Sequence, residues 1–257
     1  MNDFPVARVW RGWRRPDLKP DHFLNQLSSV FIPATWLVMG RLGLQCYVPT
    51  VLTPQEHIPD EVALLIYPSA TVYDDARRRS VAGRAYSALH DAVFNFSSAP
   101  AAPPVSGTHQ AVPWTGNDTA GPTALDGPRT WWRRAETAAA QFVDQTTVIS
   151  VALLTHDPAT HIDMDGLQRA LGGWNADLVL HTDTHFTILW LASAQPVDTD
   201  ALGTALQAAW PAARLALLQS AGEIWLPTDD AFAPCGRVPI GLGQTLSFRA
   251  AKNLTSH

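Results

Sequence analysis

Segments that favour strands and helices follow one order along the chain, strand, helix, strand, strand, helix, and that order occurs once in each half of the 257 residues. A repeated split βαβ unit is how two small sheets are built to pack on each other within one polypeptide, so the repeat constrains architecture before any chemistry is considered. It lies in the pattern and not in residue identity.

In the first half, Val6 to Trp13 reads as a strand, rich in β-branched and aromatic residues and stopped by Arg14-Arg15-Pro16. A helix follows, with Asp21 as N-cap and Phe23, Leu24, Leu27, Val30 and Phe31 as one apolar stripe. Pro33 is expected to kink or break it, and a last turn ends near Gly40 or Gly43. Strands are expected at Leu44 to Val48 and Val62 to Tyr67, then one long helix from Tyr73 to Phe94 with Val81, Arg84, Ala85, Leu89, Ala92 and Val93 turned inward.

The stretch after Ser97 is rich in Pro and Gly and reads as a linker or covering arm, with part of it, near Trp131-Trp132, docked on a domain. The second half repeats the order: strand Thr147 to Leu154, helix Met164 to Leu171, strands Leu178 to His181 and Phe186 to Leu191, helix Asp198 to Trp210, strand Arg214 to Leu218, and Glu223 to Leu226 as a further pairing segment. The expected organisation is a first domain over residues 1–96, an arm over 97–145 and a second domain with a tail over 146–257.

Composition narrows the function classes. The chain is 46% hydrophobic but only 16% charged, which favours a covered interface, within the chain or in a homodimer. A net charge of -5 without a long basic run argues against nucleic-acid binding, which depends on neutralising several phosphates. Two cysteines, Cys46 and Cys235, are too few for a disulfide scaffold. With no apolar run near the ~20 residues of a membrane span and no signal-peptide pattern at Met1-Asn2-Asp3-Phe4-Pro5, the expectation is a cytoplasmic protein without a membrane partner.

This order of elements resembles a tandem of ferredoxin-like α+β domains of the dimeric α/β-barrel kind, over residues 6–96 and 147–226. That superfamily includes antibiotic-biosynthesis monooxygenase-like, EthD-like and haem-binding chlorite dismutase-like proteins. The resemblance implies two βαββαβ domains whose sheets pack as an intrachain pseudo-dimeric barrel, and a ligand held between the sheet and helices of one domain. No signature is matched residue for residue, and fold membership alone does not assign chemistry.

The strongest candidate for chemistry is His90. Tyr86, Leu89, His90, Val93 and Phe94 fall at helical offsets, which puts the imidazole on the face toward the sheet, where it serves as a proton carrier or as a core histidine bonded to Tyr86 or a carbonyl. A third reading makes it an axial haem ligand. All four tyrosines lie in the first half, among many aromatics. Trp10, Phe31, Trp36 and Tyr47 are expected to wall a pocket for a small apolar molecule, with Tyr67 and Tyr86 orienting it beside His90. The alternative is that these rings simply fill a core. Arg8, Arg11 and Arg84 are the candidates for inward basic residues, with Arg11 counted among the substrate-binding set. Such an arginine holds a carboxylate or enolate, or pairs with Asp91 or Glu61.

In the second half, His181, Asp183 and His185 would share one face of a continuous strand as a metal triad. The same residues also spell a hairpin turn, and the turn is preferred, with no metal expected. No glycine loop or nucleophile elbow points to a nucleotide cofactor or to acyl transfer. The sequence therefore leads to a cofactor-independent enzyme of cyclase, isomerase or oxygenase type acting on a polyketide- or lipid-like molecule. The alternatives are a haem protein and a non-catalytic small-molecule-binding or assembly protein.

Overall fold

The computed structural model describes residues 5–52, 54–97, 105–114, 128–134, 141–143, 147–158, 163–221 and 248–249. The chain divides into two units, Met1–Thr108 with Glu223–His257, and His109–Gly222. Cys235 and the segment 223–226 lie outside the described residues.

The first sheet contains β1 (Val6–Gly12), β2 (Cys46–Val51), β3 (Glu61–Tyr67), β4 (Gly107–Gln110) and β11 (Phe248–Arg249), in the order β11-β2-β3-β1-β4. β3 lies antiparallel between β1 and β2, and its Ala63 pairs with Trp10 on one side and Pro49 on the other. The tail therefore returns to the first sheet: Phe248 pairs with Tyr47 of β2, where the sequence placed residues 146–257 wholly in the second half.

The first helix starts at Pro20 without a side-chain cap, one residue before the expected Asp21 cap. It runs through α1 (Pro20–Gln26), a π-helical turn (Leu27–Phe31), α2 (Ile32–Ala34) and a second π-helical turn (Thr35–Met39). Phe23, Leu27, Phe31, Thr35 and Met39 are all buried, one every four residues. In a regular helix such a stripe drifts by about 40° per step, and the wider π turns absorb the drift. The same widening turns Val30 outward, leaving it 53% exposed where a 3.6-residue period places it inside. Pro33 does not break the run, since adjacent π turns already depart from the regular bonding ladder its missing N–H would interrupt. Gly43, at φ +105°, ends it.

The expected single helix from Tyr73 to Phe94 is two. α3 (Ala70–Asp74) continues as a π turn (Asp75–Arg79), the backbone is extended at Ser80, and α4 (Val81–Val93) begins there. The Ser80 hydroxyl accepts from the Gly83 N–H at 3.2 Å. A Cβ on Gly83 would lie 1.7 Å from the Ala76 carbonyl oxygen, so only glycine permits this corner. The restart resets the phase: Gly83, Tyr86 and Val93 are buried, whereas Val81, Arg84, Ala85 and Ala92 are exposed.

The second sheet has the order β10-β7-β9-β8-β6-β5. It is made of β5 (Val112–Pro113), β6 (Arg129–Arg133), β7 (Val148–Thr155), β8 (Asp177–Thr182), β9 (Phe186–Ser193) and β10 (Arg214–Ala221). Two pieces of the expected arm, β5 and β6, extend it beyond β8. α5 (Met164–Gly172) and α6 (Thr199–Ala209) place Leu167, Leu171, Leu202 and Leu206 in an aliphatic core with Leu178, Leu180, Leu189 and Leu191.

Candidate functional site

Strand alternation decides which residues of the first sheet face its helices. Glu61, Ala63, Leu65 and Tyr67 share one face of β3, Arg8 and Trp10 share one face of β1, and Tyr47 joins them from β2. Phe31, Thr35 and Met39 oppose them from the first helix, as do Tyr73 and Arg77 from α3 and its π turn, and Tyr86 and His90 from α4. Between these layers lies a cavity of about 380 Å³.

Of the residues singled out in the sequence, His90, Tyr86, Tyr67, Trp10, Phe31 and Tyr47 line this cavity. Arg11 and Trp36 do not. Arg11 follows Trp10 on the strand, so alternation sends it to the opposite face, where its guanidinium lies 5.3 Å from the Trp13 ring centroid. Trp36 is one residue past the every-fourth-residue stripe and is packed into the surrounding core. Among the ion pairs of the described residues, none joins Arg8 or Arg84 to Glu61 or Asp91. Arg8 stacks on Tyr73, 3.7 Å from its ring centroid, and Arg84 donates to the carbonyls of Arg78 and Arg79.

The His90 ring is held edge-on by Phe31, Trp10 and Tyr86, at centroid separations of 4.8, 4.9 and 5.0 Å. Burial among these rings penalises the imidazolium and brings the pKa down to about 4, so the ring is neutral at neutral pH. The Tyr86 and Ser87 carbonyls oppose that shift in part. No acceptor meets Nδ1 at hydrogen-bonding geometry among the described residues.

Sequence reasoning missed Glu61 as a member of the site. Its carboxyl is fully buried, Oε1 accepts from the Tyr47 hydroxyl at 3.2 Å, and Oε2 has no hydrogen-bond partner among the described residues. Desolvation raises its pKa to about 8, against the pull of Tyr47 and of the nearby Trp10 indole, so it holds its proton at neutral pH. The signal was present: Glu61 is two residues before Ala63 on the face that carries Tyr67. The expected strand began one residue too late, at Val62. Gly12 is the β1 partner of Glu61, and a Cβ there would meet the Phe94 ring at 2.3 Å and the Trp10 indole nitrogen at 2.7 Å.

Thr35 was missed because the 3.6-residue pattern does not reach it. Its hydroxyl donates to the Phe31 carbonyl at 2.8 Å and lies 2.6 Å from the Tyr86 hydroxyl. Since the threonine proton is used on the carbonyl, Tyr86 is the donor of the second bond and turns only acceptor lone pairs to the cavity. Burial raises the pKa values of Tyr47, Tyr67 and Tyr86, so all three stay neutral.

In the second unit, the His181–His185 segment is the β8–β9 hairpin. The Asp183 N–H donates to the Phe186 carbonyl at 2.8 Å, and the Asp183 side chain accepts from the Thr184 N–H at 2.7 Å. His181 is buried with Nδ1 2.7 Å from the Thr130 hydroxyl. Among the described residues no group of three or more His, Cys, Asp or Glu is placed to hold a metal ion, and no helix is long and apolar enough to cross a membrane.

No protein-family model matches the chain, and no curated protein matches it in sequence. Among solved structures, the chain is similar to a "putative monooxygenase" from Fusobacterium nucleatum, with 8% identity, 87% of this chain and 98% of that one covered, and a TM-score of 0.40. A second protein of that description, from Lactobacillus acidophilus, has 8% identity, 86% and 99% coverage and a TM-score of 0.39. An anthrone oxidase-like protein has 8% identity, 87% and 95% coverage and a TM-score of 0.36. Likenesses of this degree do not assign a reaction, which has to come from the site.

Proposed function

We propose that the first unit is a ferredoxin-like domain that binds a flat, largely apolar small molecule in its cavity and moves a proton to or from it, His90 being the proton acceptor. The observation that carries this reading is a neutral imidazole among the residues lining an aromatic cavity, held edge-on by Phe31, Trp10 and Tyr86. A volume of about 380 Å³ falls at the lower end of the range for small-molecule sites, roughly 300–1,000 Å³.

A base whose conjugate acid is penalised by burial is weak toward a neutral environment. It strengthens once the proton it takes leaves an enolate or phenolate beside it, because the new ion pair offsets the desolvation that held the pKa down. Tyr67 serves as a donor to that oxygen. Tyr86, committed to Thr35, orients a ligand hydroxyl by accepting from it. Trp10, Phe31 and Tyr47 form the walls, and protonated Glu61 behind Tyr47 fixes the tyrosine's hydroxyl. Cyclisation, isomerisation and oxygenation each begin with such a proton transfer.

The test uses anthrone, a flat ketone with an acidic methylene. Deuterium exchange at that methylene, followed by NMR without oxygen, is expected to be catalysed and to fall by roughly a hundredfold in His90→Gln, with binding retained. Exchange unaffected by His90→Gln overturns the base assignment. Binding without any exchange favours a non-catalytic carrier. Absence of binding overturns the reading of the cavity.

A further inference from the structure

The run Arg77-Arg78-Arg79 follows Tyr73-Asp74-Asp75, so four-residue spacing gives each arginine a different partner. Arg79 pairs with Asp75 at 2.8 Å and Arg78 with Asp74 at 3.8 Å. Arg77 meets Tyr73 instead, donating from Nη1 to the phenolic oxygen at 2.9 Å. A carboxylate compensates two of the three charges. The third lines the cavity and has no carboxylate within 4.0 Å among the described residues.

Three further observations place this charge at one end of the site. Tyr73 is held on its ring face by the Arg8 guanidinium and packs edge-on against Tyr67 at 5.2 Å, so the phenol that anchors Arg77 is fixed on two sides. The field of Arg77 reaches both His90 and Tyr67, since it disfavours the imidazolium and favours the tyrosinate. Glu61 and Tyr67 are opposite ends of β3, about 20 Å apart along an extended strand. Tyr67 lines the cavity whereas Glu61 lies behind Tyr47, so the cationic corner is at the Tyr67 end of the strand. Asp91 also lines it and makes no ion pair with Arg77, and Arg84 uses its Nη1 on backbone carbonyls.

We infer that the ligand is an aromatic carboxylic acid, its ring system between Trp10 and Phe31 and its carboxylate on the Arg77 guanidinium. A planar fork with nitrogens still available suits a carboxylate, and the Tyr73 anchor pre-orients it. This inference rests on the cavity holding a flat apolar molecule, as proposed above.

The experiment compares anthracene-2-carboxylate with its primary amide, by titration calorimetry on the full chain. Wild-type protein is expected to bind the acid at least about tenfold more tightly than the amide. Arg77→Gln brings that ratio close to one by weakening the acid alone, and Arg78→Gln leaves the ratio as it was. Tyr73→Phe, which removes only the anchor, lowers the ratio by about threefold and serves as the test if Arg77→Gln does not fold. Equal binding of acid and amide by wild-type protein overturns the inference while leaving the cavity reading intact, and so does a ratio that survives both Arg77→Gln and Tyr73→Phe. Failure of both compounds to bind overturns the cavity reading and this inference with it.

Discussion

The two units solve one packing problem in opposite ways. In each, two helical regions cover a sheet in which four strands have the same spatial order, the fourth, first, third and second in sequence. The second unit lines this layer mainly with leucines: Leu167, Leu171, Leu202 and Leu206 meet Leu178, Leu180, Leu189 and Leu191, all fully buried, with Trp131 and Trp210 in the same cluster. Branched aliphatic side chains interdigitate and fill space. The first unit sets Trp10, Phe31, Tyr47, Tyr67, Tyr73 and Tyr86 in the same layer, and a cavity lies among these rigid rings. Near the start of the third strand, on the helix side, the second unit has Thr187 and the first has Glu61. A scaffold of one strand order thus carries a mainly leucine layer in one unit and a cavity lined by rings in the other.

The largest effect that could break this comparison is on stability. Leu189→Ala in the filled layer is expected to cost about 2–5 kcal/mol in chemical denaturation, because the void it leaves is sealed. Met39→Ala borders an existing cavity and is expected at or below the lower end of that range. Equal costs would mean that the two layers are packed alike.

A second effect separates the two titratable groups of the site. Glu61 has its pKa raised from 4.5 to about 8, so the folded state holds a proton the unfolded state has lost, and its contribution to stability declines as pH rises between those values. His90 has its pKa lowered from 6.5 to about 4, so the unfolded state holds the extra proton and stability rises with pH across that interval. The slopes oppose each other up to pH 6.5, and only the decline from Glu61 continues from 6.5 to about 8. Over that last window the first unit is expected to lose roughly 2 kcal/mol. Thermal unfolding of Glu61→Gln should show no decline there, and His90→Gln should decline across the whole range from 4.5 to about 8.

A smaller effect tests the hydroxyl pair. Tyr86→Phe removes one donor from Thr35, whose own proton stays on the Phe31 carbonyl, and is expected to cost about 1 kcal/mol in denaturation. A cost above about 3 kcal/mol would show that Tyr86 braces the cavity as a structural member and does more than orient a ligand.

Much of the scaffold was legible because its signals are local. The β-branched and aromatic strands, the Pro and Gly stops and the hairpin at Asp183 depend on neighbours in sequence. The site was legible as far as regular periods run. Trp10, Tyr47, Tyr67, Tyr86 and His90 follow from alternation or helical offsets. Arg11 was placed with the binding set although strand alternation sends it to the other face from Trp10. Thr35 and Val30 defeated the pattern because π turns change the helical period, and the exposed Val81 because Ser80 and Gly83 restart the helix.

By itself the sequence determined the repeated order of elements, the placing of all four tyrosines in the first half, and the face on which His90 sits. The order and the face rest on periodicities of a few residues, which hydrophobic burial enforces wherever the chain folds. Only the tertiary structure decided that the rings leave space among them, that Glu61 is sealed behind Tyr47 with its proton retained, and that Arg77 alone among three arginines turns its charge to that space. Each depends on desolvation and on distances between strands and helices remote in sequence, and no local pattern encodes those.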